Sequence, residues 1–269
     1  MLWSEITQTD LEKFDENTVA ILPIGSIEAH GPHLPLGTDF LDVYRIAIEA
    51  AKKTGSLVLP PVTFGYAAET RHLPGTVSFK AETLLKVLED ICDEVARNGF
   101  RKILILNGHG GNKRLLQVFH REILNEGKDY QLYVALGPFK SFLDVFEKIR
   151  ETKIIGHACE LETSLILYMY PDLVKLDRIT IKGEVGEVSV QDDPRIIPLS
   201  DTESLVDWPS YCHEGYVGDP RKASMQKGEK LVRKWLETVV KIIDLIKKDA
   251  TTAGVMKKYP YKRRKNRRE

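Results

Sequence analysis

The stretch "RKILILNGHGGN", Arg101–Asn112, decides the fold. Ile103–Leu106 are four consecutive apolar residues, the pattern of a strand buried on both faces rather than one that alternates between core and water. A glycine-rich turn follows, and Lys113–Asn125 then reads as a helix. A buried strand feeding a helix through a short turn is the unit from which parallel sheets are built. His109 stands at the carboxyl end of this strand, where ligands collect in open α/β sheets. The glycines around it allow close backbone approach. No Gly-Lys-Ser/Thr follows, so the loop is not a Walker loop.

The same alternation continues in both directions. Val19–Ile24 reads as a buried strand, and Phe40–Lys53 as an amphipathic helix that Gly55 ends. Ser56–Phe64 is a strand interrupted by Pro60-Pro61, and Ala81–Asn98 has a helical apolar period closed by Asn98-Gly99. Gln131–Leu136 is a strand, Glu160–Met169 a helix stopping before Pro171, and Gly228–Lys248 a closing helix with an apolar stripe. Ile179–Ser210 is richer in Gly, Pro and Asp and reads as loops with short strands. The expected fold is a layered α/β/α sandwich with a mostly parallel central sheet. Residues 1–250 read as a single α/β domain, and 251–269 as a basic tail built around "KKYPYKRRKNRR".

Composition narrows the function. Thirty-nine basic and 39 acidic residues cancel, so no bulk field points to nucleic acid or to a membrane surface. Cys92, Cys159 and Cys212 form no CxxC pair and are too scattered for a disulfide framework, which favours a reducing cytoplasm. The N-terminus has no signal-peptide pattern, and no apolar run is long enough to span a bilayer.

Three pieces carry ligand chemistry. In "LPIGSIEAHGPHLPLGTDF", Leu22–Phe40, Glu28 and His30 are two apart, so extended backbone puts both on one face. Asp39 follows just before a predicted helix, where a loop can fold it back onto the strand end. Glu, His and Asp together suit Zn²⁺, Mn²⁺ or Fe²⁺ rather than Ca²⁺. His33, between prolines, reads as a structural hydrogen-bonding residue. His109 is the second piece. The third is "GHACELETS", Gly156–Ser164: His157 lies in a turn, and Glu160 and Glu162 open the next helix. There they can serve as helix-dipole partners or as ligands, and Glu160 shares a face with Ser164 while Glu162 points elsewhere. In a parallel sheet the ends of the strands converge, which favours one shared metal site. His72, in "RHLPGTVS", either lines that cleft or fills a loop.

These residues resemble the creatininase family. The resemblance rests on "LPIGSIEAHGPHLPLGTD", "HLPGTVS", "LILNGHGGN", "GHACELETS" and "EGYVGDPRKAS", in order from Leu22 to Ser224. It implies a dinuclear metal-dependent amidohydrolase acting on a non-peptide C–N bond of a small molecule, in a homo-oligomer. Glu28 and His109 would hold one divalent ion and His30 the other, with Asp39 bridging. Glu160 or Glu162 would carry the proton to the leaving nitrogen, and His157 joins them as a catalytic residue. Creatininase has Tyr-Glu after the motif histidine and uses that Glu as a ligand. Here Gly110-Gly111 stand instead, so a fifth ligand must come from elsewhere, Glu162 first and Glu160 second. Creatininase also places tryptophans over its substrate before the third motif; none of Trp3, Trp208 and Trp235 falls there, which argues against creatinine.

The Gly-Gly form is more similar to the archaeal formamide-hydrolase branch. That branch deformylates a formylaminopyrimidine ribonucleotide in flavin and deazaflavin synthesis, with Fe²⁺, Zn²⁺ or Mn²⁺. A substrate phosphate would need cations, and Arg71, Lys113 and Arg114 lie near the relevant loops. The alternatives are a creatininase-like cyclic amidase, a mycofactocin-type small-peptide hydrolase, and a non-catalytic domain that keeps the fold to bind metal or nucleotide.

Overall fold

In the computed structural model, residues 1–137, 139–180, 208–212 and 214–250 are described. Residues 181–207 of the loop region expected over Ile179–Ser210, and the basic tail at 251–269, lie outside them.

Among the described residues, four strands build one sheet: β1 (Val19–Ile24), β2 (Leu57–Val58), β3 (Lys102–Asn107) and β4 (Gln131–Ala135). Their spatial order is β2-β1-β3-β4, and every pairing is parallel. The helices are α1 (Thr38–Thr54), α2 (Ala81–Arg97), α3 (Lys113–Glu126), α4 (Lys140–Phe146), α5 (Glu160–Met169), the single turn α6 (Trp208–Tyr211) and α7 (Met225–Lys248).

The two-residue alternation of the strands sorts their side chains into two cores. Val19 and Ile21 of β1, with Leu104 and Leu106 of β3, pack under α1, α4, α5 and α7. Ala20, Leu22, Ile24, Ile103 and Ile105 face the other way, onto Leu84 and Leu88 of α2 and Leu116 and Phe119 of α3. All six residues of β1 and all six of β3 are buried, as their uninterrupted apolar runs require. The α/β/α sandwich with a parallel sheet is therefore the observed fold.

Differences from the sequence reading are local. The strand expected over Ser56–Phe64 shrinks to Leu57–Val58, because Pro60-Pro61 removes two donors; pairing resumes only as an isolated Ile24–Val62 bridge. Pro23 sits in a central strand, where it can accept but not donate. Its carbonyl accepts from the Val62 N–H at 2.9 Å, where the β2 ladder has already broken. Helix α4 has no counterpart among the expected elements: its core anchors are Phe142 and Phe146, too few to make a period legible.

The strand order fixes what meets at the carboxyl edge. Ile24 and Asn107, the last residues of β1 and β3, are direct partners, and the Gly108 N–H donates to the Ile24 carbonyl at 2.8 Å. The loop bearing Glu28 and His30 and the turn bearing His109 thus leave the sheet side by side. Gly108 makes the third approach feasible. A Cβ there would stand 2.2 Å from the Asp39 carbonyl oxygen, so only glycine lets the start of α1 lie against the end of β3.

Candidate metal centre

Asp39 is the second residue of α1, in its first turn, where the helix dipole favours a carboxylate. Its two oxygens face two different histidines. Oδ1 lies 3.2 Å from His30 Nε2, and Oδ2 lies 2.8 Å from His109 Nδ1. Glu28 Oε2 is 3.1 Å from the same His109 nitrogen, and Glu162 Oε2 is 3.9 Å from His30 Nε2. Two ligand groups follow, Glu28–Asp39–His109 and His30–Asp39–Glu162, and they share Asp39. A third, Glu28–His30–His157, overlaps both.

Each histidine has one ring nitrogen tied to a backbone carbonyl and the other turned inward. A carbonyl can only accept, so His30 Nδ1–H donates to the Glu28 carbonyl at 3.0 Å. By the same logic His109 Nε2–H donates to the Tyr66 carbonyl at 2.9 Å, and His157 Nε2–H to the Ala29 carbonyl at 2.6 Å. The other ring nitrogen of His30 and of His109 faces the carboxylates, where a divalent ion would take the place of its proton. Glu28 is oriented through its other oxygen, which accepts from Thr70 Oγ1 at 2.6 Å. Glu162 accepts from the Ala158 N–H, and Ala158 holds a left-handed φ of 50° to present it.

The electrostatics demand positive charge. Glu28 Oε2, His30 Nε2 and Asp39 Oδ2 are buried without a hydrogen-bond partner. Burial opposes a charged His30, yet Asp39, Glu162 and Glu28 outweigh it and raise its pKa to about 10. His109 is pushed up likewise by Asp39 and Glu28 against its burial. For Asp39, burial favours the neutral acid, but the His30 and His109 rings win and hold its pKa far below the usual range. Burial raises Glu162, partly offset by His30 and His157. Carboxylates facing inward imidazole nitrogens, with three polar atoms unsatisfied, are the donor set of divalent cations; an apolar or doubly hydrogen-bonded site would leave no such orphans.

The candidate residues thus divide. Glu28, His30, Asp39, His109 and Glu162 come together, and His157 stacks on His30 with ring centroids 4.1 Å apart. Glu160 does not join them. Its fully buried carboxylate accepts from the Glu151 and Thr152 N–H groups and from Thr152 Oγ1, and it pairs with Lys227 at 2.5 Å. As the first residue of α5 it points to the 151–152 backbone and α7, whereas Glu162, two residues on, points to the cluster. Its expected roles as ligand or proton carrier are corrected accordingly. His33 bonds Thr163 Oγ1 at 2.9 Å, and His72 lies between the Glu69 and Cys212 carbonyls; neither enters a ligand group.

Sequence reasoning misses Thr70, the Tyr66 carbonyl and Asp42. Asp42, one turn after Asp39 on α1, is 5% exposed, and burial followed by Asp39 and Glu162 pushes its pKa well above the carboxylate range. A lone acid inside the stripe of Val43, Ile46, Ala47 and Ala50 is the available signal.

A cavity of about 230 Å³ opens from the cluster. His109, Glu162 and Asp42 line it, with Lys113 and an apolar wall that includes Leu136, Phe139 and Trp235. A tryptophan does reach the site, from α7 rather than from the segment before the third motif.

Comparison with known proteins agrees with this geometry. The profile of the creatininase family, described as creatinine amidohydrolase, matches residues 4–243. The chain belongs to the creatininase family. The creatinine amidohydrolase of Pseudomonas putida is 30% identical over 226 residues, 78% of this chain and 83% of that protein. Solved creatininase structures, a mutant in a Zn–Zn form and a Mn form, superpose with TM-scores of 0.74 and 0.72. Both are 26% identical and cover 91% of this chain and 97% of theirs. A deformylase of Methanococcus voltae, acting on 2-amino-5-formylamino-6-ribosylaminopyrimidin-4(3H)-one 5'-monophosphate, is 30% identical over 116 residues, 42% of this chain and 44% of that protein. This creatininase-family chain is a metal-dependent hydrolase of non-peptide C–N bonds. Among its described residues no helix is long and apolar enough to cross a membrane.

Proposed function

We propose that the chain is a two-metal amidohydrolase in which Asp39 bridges the ions and Glu162 replaces the ligand that creatininase draws from its Tyr-Glu pair. The observation that carries this is the pair of Asp39 oxygens, each facing a different inward imidazole nitrogen. Glu28 and His109 would complete one ion, His30 and Glu162 the other. Bound ions would polarise the amide carbonyl and lower the pKa of water. Gly111 supports the assignment of Glu162. A Cβ at that position would meet the Tyr66 carbonyl oxygen at 2.3 Å and His109 Nε2 at 2.6 Å, so no side chain can start there in this backbone.

The remaining steps belong to the chain. His157 keeps Nε2–H on the Ala29 carbonyl and leaves Nδ1 free to accept a proton and return it to the leaving nitrogen. The apolar wall of Leu136, Phe139 and Trp235 excludes water from one side of the reacting amide.

The first substrate to test is a formylaminopyrimidine ribonucleotide phosphate, supported by the Gly110-Gly111 form of the loop. Hydrolysis of a creatinine-like cyclic amide is the second reading, favoured by the longer match to the Pseudomonas putida protein. Metal-loaded enzyme assayed for formate release and for creatinine hydrolysis separates them. Formate above a metal-free control supports the first, and its absence alongside creatinine turnover replaces it with the second.

A further inference from the structure

Lys113 is the first residue of α3 and lines the cavity that His109 and Glu162 share. It is half-buried, and its ammonium has neither an ion pair nor a hydrogen bond among the described residues. A lysine withdrawn from water without a counter-ion is unfavourable, and enclosure lowers its pKa. Its position adds to the cost. The first turn of α3 holds Lys113 and Arg114 and no acid, against the preference of a helix N-terminus for negative charge. No side chain caps that end either. Asn112, the N-cap, spends its amide on the Tyr66 N–H, the Gly25 carbonyl and Asn107 Oδ1.

The two other cations near the site do not share this place. Arg114 lines a separate groove with Gln117 and Arg121, and Arg71 is exposed outside the cavity lining. Gly110 leaves the approach open, because a Cβ there would meet nothing within 4 Å. At about 230 Å³ the cavity lies below the roughly 300–1,000 Å³ of pockets for drug-sized ligands, so it seats one compact portion of a substrate.

We propose that Lys113 is a specificity-determining residue that binds an oxyanion of the substrate, a carboxylate or a phosphate, attached to a small planar or apolar group seated against Leu136, Phe139 and Trp235. This rests on the reading of the neighbouring cluster as the reaction centre, and it narrows the substrate class to anionic amides. The ammonium supplies hydrogen bonds of the charge-assisted kind, and the apolar wall strengthens them by limiting water.

Three probes of one shape test it: formanilide, 4-formamidobenzoate and 4-formamidophenyl phosphate. Their dissociation constants are measured by calorimetry on the metal-loaded protein, with metal content determined on the same samples. At least one anionic probe is expected to bind about tenfold or more tightly than formanilide. Lys113→Met should bring that ratio close to one, and Lys113→Arg should keep most of it. Whichever anion is preferred names the source of the oxyanion. Equal binding of all three probes, no binding of either anion, or an undiminished preference in Lys113→Met overturns the proposal. Metal analysis reads the cluster independently: protein without bound metal contradicts the two-metal reading, while the probe ratio still decides the role of Lys113.

Discussion

Asp39 carries the largest share of the account at the level of single residues, because both ligand groups contain it. Asp39→Ala is expected to lose both ions, whereas Glu162→Gln should weaken only the ion shared with His30; inductively coupled plasma analysis after dialysis checks both. The glycine pair gives a sharper contrast. Gly111→Ala must displace the Tyr66 carbonyl that orients His109, and disturbing such a partner costs about 10–100-fold in metal affinity. Gly110→Ala meets no atom within 4 Å and should stay within about twofold of wild type. Equal affinities for the two variants would remove the steric argument for Glu162. His157→Gln should lower kcat by about 10²–10⁴ while leaving metal content unchanged, which separates a proton carrier from a ligand.

Helix α5 shows how one element divides its chemistry. Glu162 turns inward to the cluster, while Glu160 fastens the helix to the 151–152 backbone and to Lys227 of α7. Lys227→Met would leave a fully buried carboxylate with neutral donors only, a loss of about 3 kcal/mol, or roughly 6–12 °C in Tm. Thermal melts of metal-loaded protein read it; an unchanged Tm would show that the pair contributes nothing. The sign with pH is fixed. Burial opposes the charged form of Lys227, but Glu151 and Glu160 raise its pKa above the ordinary value. The stabilisation is therefore whole below about pH 10.4 and fades as pH rises through the higher folded value.

This same helix marks the limit of what the sequence makes legible. Glu160–Met169 is readable as a helix to the residue, and both acids are visible at its start. Their division is not, because it depends on where α7 and the 151–152 loop dock, contacts that no local period encodes. The strand ends are legible for the opposite reason. Unbroken apolar runs in β1 and β3 specify buried parallel strands, and everything that follows such strands lies at one edge. Thr70 and the Tyr66 carbonyl reach the site through tertiary contacts that the sequence does not encode, whereas Lys113 follows the His109 turn directly and is legible beside it.

For the whole molecule, the metal cluster joins the loops that leave β1 and β3 to the starts of α1 and α5, and binding should therefore register as stability. An ion at 100 times its dissociation constant stabilises the folded state by about 2.7 kcal/mol. At roughly 2–4 °C per kcal/mol for a chain of this size class, chelation should lower Tm by about 5–10 °C, and Zn²⁺ or Mn²⁺ should restore it. Asp39→Ala should melt at the same temperature with and without chelator; a chelator response that survives in the variant would place the stabilising ion elsewhere.

Anomalous diffraction from crystals of the metal-loaded enzyme locates both ions and their ligands at once. Two peaks about 3.5–4 Å apart are expected. Each should lie about 2.0–2.2 Å from a different Asp39 oxygen, one also on Glu28 and His109, the other on His30 and Glu162. A single peak, or a second ion without Glu162 among its ligands, would contradict it.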